Sequence, residues 1–408
     1  MPEAGRIILD ILVILVAAKL GGEIAERLGQ PAVLGELAVG VVVGPSVLGF
    51  IDGTPVIEAM AQLGAILLLF EVGLETDLTR ILQVGPAALR VATVGVVLPF
   101  ALGAVLALAL GHHGIVAVLI GATLTATSVG ITARVLSDLH KLDTDEGRTV
   151  LAAAVLDDVM GLVILTVVSG LAAGQALSAL SVGRIIAAAG GFLLLALLVG
   201  LRVSPPMFRW ISKRVRVRGI LITAAFSFCL LLAVSAELFG LAPIVGAFVA
   251  GVLLATTEQH QQIRERLTPL ADVFIPIFFL SMGIQVQIGA FSSPALLTLA
   301  GSLTLVAVAG KVVAGWAAPS SMSRAAIGFA MVPRGEVGLI FASFGLARGL
   351  LRPDLYSAML LVVALTTFLT PPLVKRLFES LRPARGRQAG KLVLPRRPLV
   401  NVPLGTRW

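Results

Sequence analysis

Apolar stretches of about 20 residues, the length a helix needs to cross the hydrocarbon of a bilayer, follow one another from Ile7 almost to Ser380 with short polar breaks between them. The pattern predicts about thirteen membrane-spanning helices, at 7–28, 33–50, 57–74, 86–110, 115–138, 149–173, 183–203, 219–238, 241–255, 267–285, 294–317, 322–347 and 355–379. An all-α integral membrane protein is expected, with one transmembrane unit over residues 1–380. The remaining tail, 381–408, is rich in Pro and Arg; it is expected to be disordered and to lie near anionic lipid. The first stretch runs to Leu28 through Asp10, Lys19 and Glu23 with only Arg6 ahead of it, which fits a mature helix better than a secretion signal.

Composition agrees with lipid as the solvent, since 57% of residues are hydrophobic, 13% are charged and the mean hydropathy is +1.01. In a soluble protein a net charge of +8 would suggest nucleic acid, but here the placement of charge reports topology instead. Of the 31 Lys and Arg, 24 fall on one side of the predicted spans; Arg6, Arg184, Arg348 and Arg352 fall on the other. The heavy side is assigned to the cytoplasm. The loop from Arg202 to Arg218 and the tail after Lys375 are its most basic parts, so the N-terminus is expected outside and the C-terminus inside. Cys229 is alone, which excludes a disulfide framework and a Cys-based metal site, and no cofactor is implied.

The two halves echo each other. Gly35-Glu36-Leu37-Ala38-Val39-Gly40 returns as Gly246-Ala247-Phe248-Val249-Ala250-Gly251, and Phe70-Glu71-Val72-Gly73-Leu74 as Leu280-Ser281-Met282-Gly283-Ile284. Pro86-Ala87-Ala88-Leu89 matches Pro294-Ala295-Leu296-Leu297, and Ser128-Val129-Gly130-Ile131 matches Glu336-Val337-Gly338-Leu339. The offset of roughly 207 to 211 residues spans seven helices, an odd number, so the second copy must cross in the opposite sense. Six helices, a linker helix at 183–203 and six inverted helices are predicted. Inverted repeats of this kind mark transporters, with the site at the repeat interface near mid-membrane.

Ionisable residues deep in a span cost at least about 2.5–3.5 kcal/mol on insertion scales and need a reason. Asp157 and Asp158 interrupt the sixth helix, Lys311 the eleventh, and Arg334 and Glu336 the twelfth. A structural salt bridge and a snorkelling lysine are the bland alternatives. Neighbours on a helix point about 100° apart, so the two aspartates cannot serve one partner. If one pairs with Lys311, the other is left to face water, where it can hold a hard cation or a proton. The fifth and twelfth helices are each broken halfway, at Thr125-Ala126-Thr127-Ser128-Val129-Gly130 and Val332-Pro333-Arg334-Gly335-Glu336. Pro333 removes an amide donor and Thr127 and Ser128 can satisfy freed backbone groups. Crossed half-helices need charge at their poles, Glu336 at the positive ends and Lys311 or Arg334 at the negative; a simple proline kink is the alternative.

Weaker signals are read as packing. Gly40 and Gly44 fit a small-residue packing face. Glu36, Glu71, Glu75 and Glu237 either line the cytoplasmic or outer mouth of a cavity or mark helix ends, and helix ends are preferred; His112, His113, His140 and His260 are placed in loops, leaving no buried His cluster.

These residues resemble the bacterial monovalent cation/proton antiporters, most closely the Nap-type Na⁺/H⁺ antiporters, over about residues 7–380. The most specific pieces are Thr127-Ser128-Val129-Gly130-Ile131-Thr132-Ala133-Arg134-Val135-Leu136, Asp157-Asp158, Ala242-Pro243-Ile244-Val245-Gly246-Ala247-Phe248, Gly310-Lys311-Val312 and Pro333-Arg334-Gly335-Glu336-Val337-Gly338-Leu339. The resemblance implies a homodimer in the bacterial inner membrane. In it, core helices at about 86–173 and 294–379 move against a dimerisation panel at about 7–74 and 219–285. It implies that Asp158 carries the ion and the proton, that Asp157 alternates between Lys311 and the cation, and that an Asp-Asp pair makes exchange electrogenic. The tail beyond Ser380 has no counterpart in it. Among rivals, a membrane aspartyl protease needs two carboxylates facing one water from different helices, which adjacent residues cannot supply. A cation channel needs no inverted repeat. A K⁺/H⁺ exchanger of the same fold stays open, because carboxylates alone do not separate Na⁺ from K⁺.

Overall fold

The computed structural model describes residues 3–172, 179–215, 217–286 and 293–380; the expected tail lies outside them. Helices α1 (Glu3–Arg27), α2 (Ala32–Val43), α3 (Pro55–Leu74), α4 (Leu78–Ala109), α5 (Ile115–Thr123), α6 (Val129–Asp138), α7 (Asp145–Ala172) and α8 (Ala179–Arg214) make up the first part of the chain. They are followed by α9 (Ile220–Leu238), α10 (Pro243–Ala255), α11 (His260–Ile284), α12 (Pro294–Ala314), a 3-10 turn at Gly315–Ala317, α13 (Arg324–Ala330), α14 (Glu336–Ala347) and α15 (Pro353–Glu379). No strand occurs among the described residues, and eight of the helices are long and apolar enough to cross a membrane. The predicted breaks are present: α5 stops at Thr123 and α6 starts at Val129, while α13 stops at Ala330 and α14 starts at Glu336.

Local chemistry sets the starts. Proline opens α3, α10, α12 and α15, where its missing N–H is not needed. The side chain of Asp77 accepts from the Thr79 amide at 2.9 Å, and this cap starts α4 at Leu78, eight residues ahead of the predicted 86. At the other end, Pro45 disfavours helical backbone at Gly44, so α2 stops at Val43 rather than near 50. The basic segment expected as a loop from Arg202 is helical to Arg214, through Pro205 and Pro206. A helix keeps its hydrogen bonds when it leaves lipid, so charge marks the membrane boundary but not the helix end. For the same reason α11 begins at His260, which is therefore not in a loop.

Close-packed glycines express the inverted repeat. A Cβ on Gly40 of α2 would strike the Leu280 carbonyl and Gly283 of α11; one on Gly251 of α10 would strike the Phe70 carbonyl and Gly73 of α3. Gly40 and Gly251 are repeat mates, as are Gly283 and Gly73, so the α2–α11 and α10–α3 crossings are the same contact seen twice. The second echo works likewise: Gly35 lies on the Gly21 carbonyl of α1, and its mate Gly246 on the Leu232 carbonyl of α9. Around this frame α3 packs on α10 and α11, while α4 packs on α5, α7 and α12, and α12 on α15.

Candidate cation and proton site

Lys311 of α12 reaches α7 across α4. Gly95 on α4 leaves the space, since a Cβ there would come within 3.4 Å of Lys311 Nζ and 3.5 Å of its Cδ. One residue earlier, Gly310 lies against the Pro99 ring of α4, which draws α12 close. Lys311 Nζ then sits 3.1 Å from Asp157 Oδ1 and 3.2 Å from Oδ2, with both side chains wholly buried. Charges taken out of water this far persist only when paired.

Asp158, the next residue, points elsewhere. It lies at a cavity of about 600 Å³ whose other lining includes Leu37, Glu58, Gln62, Glu237, Gln285 and Thr367. Glu58 and Gln62 are near the start of α3, Glu237 ends α9 and Gln285 follows α11, so the cavity opens on the face that carries the α9–α10 connection. The cavity ends at Phe278 of α11, which belongs with Leu68 and Val72 from α3, Ile131 and Val135 from α6 and Ile275 from α11 to one buried apolar cluster, a plug on the side of the opposite face. Gly130 at the start of α6 lies against the Phe278 ring.

The two helix breaks meet beside this pair. The Ser128 amide donates to the Pro333 carbonyl at 2.7 Å, and Gly335, which caps α14, abuts the side chain of Ser128, which caps α6. The positive ends of α6 and α14 thus lie together. At the negative ends, Thr132 Oγ1 donates to the Ala330 carbonyl at 2.6 Å and Thr127 Oγ1 to Met331 at 3.1 Å, completing the end of α13. Past the end of α5 the charge is supplied by Arg334, 0% exposed, which donates to the carbonyls of Ala126 at 2.8 Å, Thr125 at 3.4 Å and Ala307 at 3.3 Å. A guanidinium fork reaches three carbonyls that a single ammonium could not. Lys311, the other residue expected at a negative end, is instead held by Asp157. Glu336 begins α14, but its side chain lies outside the described residues, so the expected role at the positive ends is not addressed.

Sequence reasoning missed several parts of this assembly. Thr367 donates to the Arg334 carbonyl at 2.8 Å and the Arg334 amide donates to Thr366 Oγ1 at 3.3 Å, so α15 holds the second break in place. Threonines are ordinary in apolar helices, and only the polar Thr366-Thr367-Phe368-Leu369-Thr370 spacing hinted at them. Glu36, read as a helix end, lies in mid-α2 and is 3% exposed. Glu71 is in the last turn of α3, Glu75 caps it and ion-pairs with Arg264, and Glu237 is at the end of α9. Glu75 is the one of these outside the spans; burial raises its carboxyl above the usual range, against the pull of Arg264. Among the described residues no three His, Cys or carboxylate side chains converge as a resident metal ion would need.

Inverted repeats, two broken helices in contact and buried ionisable groups beside a one-sided cavity define a secondary transporter. The family model for the transmembrane sodium/hydrogen exchanger matches residues 11–379, and the chain belongs to that family. It is 38% identical to the high-affinity Na⁺/H⁺ antiporter NhaS3 of Synechocystis, over 92% of this chain and 90% of that one. It is also 38% identical to the Na⁺/H⁺-K⁺ antiporter GerN of Bacillus cereus, over 91% of this chain and 96% of the relative. The fold matches that of the sodium proton antiporter MjNhaP1 from Methanocaldococcus jannaschii with a TM-score of 0.63, at 18% identity, over 91% and 96% of the two chains. The protein is a multi-pass membrane antiporter for Na⁺ and H⁺, not an enzyme.

Proposed function

We propose that Asp158 is the carboxylate that carries Na⁺ and H⁺ in turn, with Asp157 and Lys311 as its switchable neighbour pair. The observation that carries this is the split between adjacent residues, one locked in a buried ion pair and the other lining the cavity. Na⁺ and a proton compete for the same carboxylate, so loading one expels the other. When Na⁺ arrives, Asp157 turns from Lys311 to the cation and Lys311 releases its proton, making the cycle electrogenic. Counting each broken helix as one crossing gives thirteen crossings, with the N-terminus outside and the C-terminus in the cytoplasm of a bacterial inner membrane, in agreement with the charge asymmetry. In this orientation the cavity faces outward.

Exchange then follows by alternating access. The helices around α4, α5–α7 and α12–α15 form the moving core, and α1–α3 with α9–α11 form a static panel through which two copies pair in lipid. The name of GerN keeps a K⁺/H⁺ reading in view as the second choice. Purified protein in liposomes loaded with a pH dye, given Na⁺, Li⁺ or K⁺ in turn, tests both: Na⁺- and Li⁺-driven proton movement supports the reading, and a response to K⁺ alone replaces it.

A further inference from the structure

Glu36 has no role in the site above, yet it sits in the apolar helix Ala32–Val43, 3% exposed, and its Oε2 finds no hydrogen-bond partner. A buried ionised carboxylate is costly unless a cation meets it. The charged groups in electrostatic reach are Lys19 and Glu26 of α1 and Arg134 and Asp138 of α6. Arg134 is also within reach of Glu71 of α3 and Asp272 of α11, and its Nε lies 3.1 Å from Asp138 Oδ1. Glu71 accepts from Thr268 Oγ1 of α11 at 3.0 Å. Two carboxylates, Glu26 and Asp138, thus stand in reach of Glu36, while Glu71 and Asp272 share with it the cation Arg134, which is already paired with Asp138. Since they do not converge as a metal cage, a weakly held, mobile cation suits them better than a resident one.

The location gives this surplus of negative charge a use. Leu37 touches the outer cavity, but Arg134 lies on α6 at the level of the plug, between Ile131 and Val135, and Asp138 one turn further toward the opposite face. We propose that Glu36 is a loading site for a monovalent cation or a proton on the second access route, the one that opens at the face of the α1–α2 turn when the cavity closes. The proposal rests on the alternating-access reading above. Glu36 stands on α2 and Arg134 on α6, which packs against α2 and α3, so a shift of α6 moves Arg134 relative to the carboxylate.

The test is sided transport. Wild type, Glu36→Gln, Glu36→Asp and Glu71→Gln are reconstituted in liposomes sorted by orientation, and Na⁺-driven proton movement is measured with Na⁺ presented at each face. Expected is a half-saturating Na⁺ raised several-fold more at the α1–α2 face than at the cavity face for Glu36→Gln, a smaller shift in the same sense for Glu71→Gln, and rescue by Glu36→Asp. Equal shifts at both faces, or none, would overturn the proposal and leave a structural partner for Arg134. If Glu36→Gln does not fold, Glu71→Gln decides by the same criterion. Wild type that fails to exchange Na⁺ at either face would instead sink the antiport reading itself.

Discussion

Lys311 Nζ lies 3.1 Å from Asp157 Oδ1 inside an ion pair that water does not reach, while Asp158, bonded to Asp157 through the chain, faces the cavity. Two carboxylates of the same chemistry are therefore held in different environments by the helical turn between them.

From this, Asp158→Asn is expected to abolish exchange while leaving a folded protein. The amide neither releases a proton nor neutralises a cation, yet it keeps the side-chain volume. Na⁺-driven proton movement at the wild-type rate in liposomes would refute the assignment.

Removing one partner of the buried pair should be costly, on the order of 3–5 kcal/mol, because the other is left charged and alone. Removing both should cost much less. Asp157→Asn with Lys311→Gln is therefore expected to melt well above Lys311→Gln alone. If the pair makes exchange electrogenic, the double variant also retains some flux but loses its response to an imposed potential, which acts on net charge by about 2.3 kcal/mol per unit charge per 100 mV. Flux under a valinomycin clamp decides; a double variant still driven by potential removes this role from the pair.

Arg334→Ala strips donors from the carbonyls of Thr125, Ala126 and Ala307, and each unsatisfied buried group costs about 1–3 kcal/mol. A lower melting temperature in detergent is expected, with Arg334→Lys intermediate because one ammonium cannot span all three. Unchanged melting of Arg334→Ala would mean that the crossing is held by the threonines instead.

The glycine crossings give a control within one molecule. Gly283→Ala pushes a methyl into the Leu37 carbonyl and Gly40, and Gly73→Ala does the same at the repeat-related Phe248 carbonyl and Gly251. Both should destabilise to a similar degree. Gly301→Ala, in α12 with nothing near its Cβ, should stabilise by up to about 1 kcal/mol through helix propensity. Equal tolerance at all three positions would contradict the close helix crossings.

Cys229, the single cysteine, is buried, so added cysteines can report access against a quiet background. Gln62→Cys and Gln285→Cys line the cavity and should react with a membrane-impermeant maleimide from the outside; Arg80→Cys should react from the cytoplasmic side. Labelling of Gln62→Cys only from the cytoplasm would reverse the proposed orientation.

The class of the fold was legible because lipid imposes one requirement on every span, an apolar run of fixed length, and that requirement is written in local composition. The two breaks were legible for a similar reason: Pro333 and the polar runs at Thr125–Ser128 are local offences against a helix. Helix ends were less so, since α8 continues past Arg202 and α4 begins ahead of Pro86, where hydrogen bonding and capping decide and hydropathy does not. The inverted repeat could be read from matched glycines, but not that Gly40 meets Gly283 and Gly73 meets Gly251.

By itself the sequence determined which residues are too polar for lipid: Asp157, Asp158, Lys311, Arg334 and Glu336. Which of them meet was decided only in three dimensions. The partner of Lys311 is 154 residues away, the gap at Gly95 that lets it reach is on a third helix, and Arg334 finds its carbonyls on α12, 27 residues distant, and in the first helix break, 208 residues distant. The same holds for Glu36, which looks like a helix end in the chain and is buried where α2 packs against α1 and α11, with α6 alongside. Burial depends on what the rest of the fold brings alongside, and no local pattern carries that information.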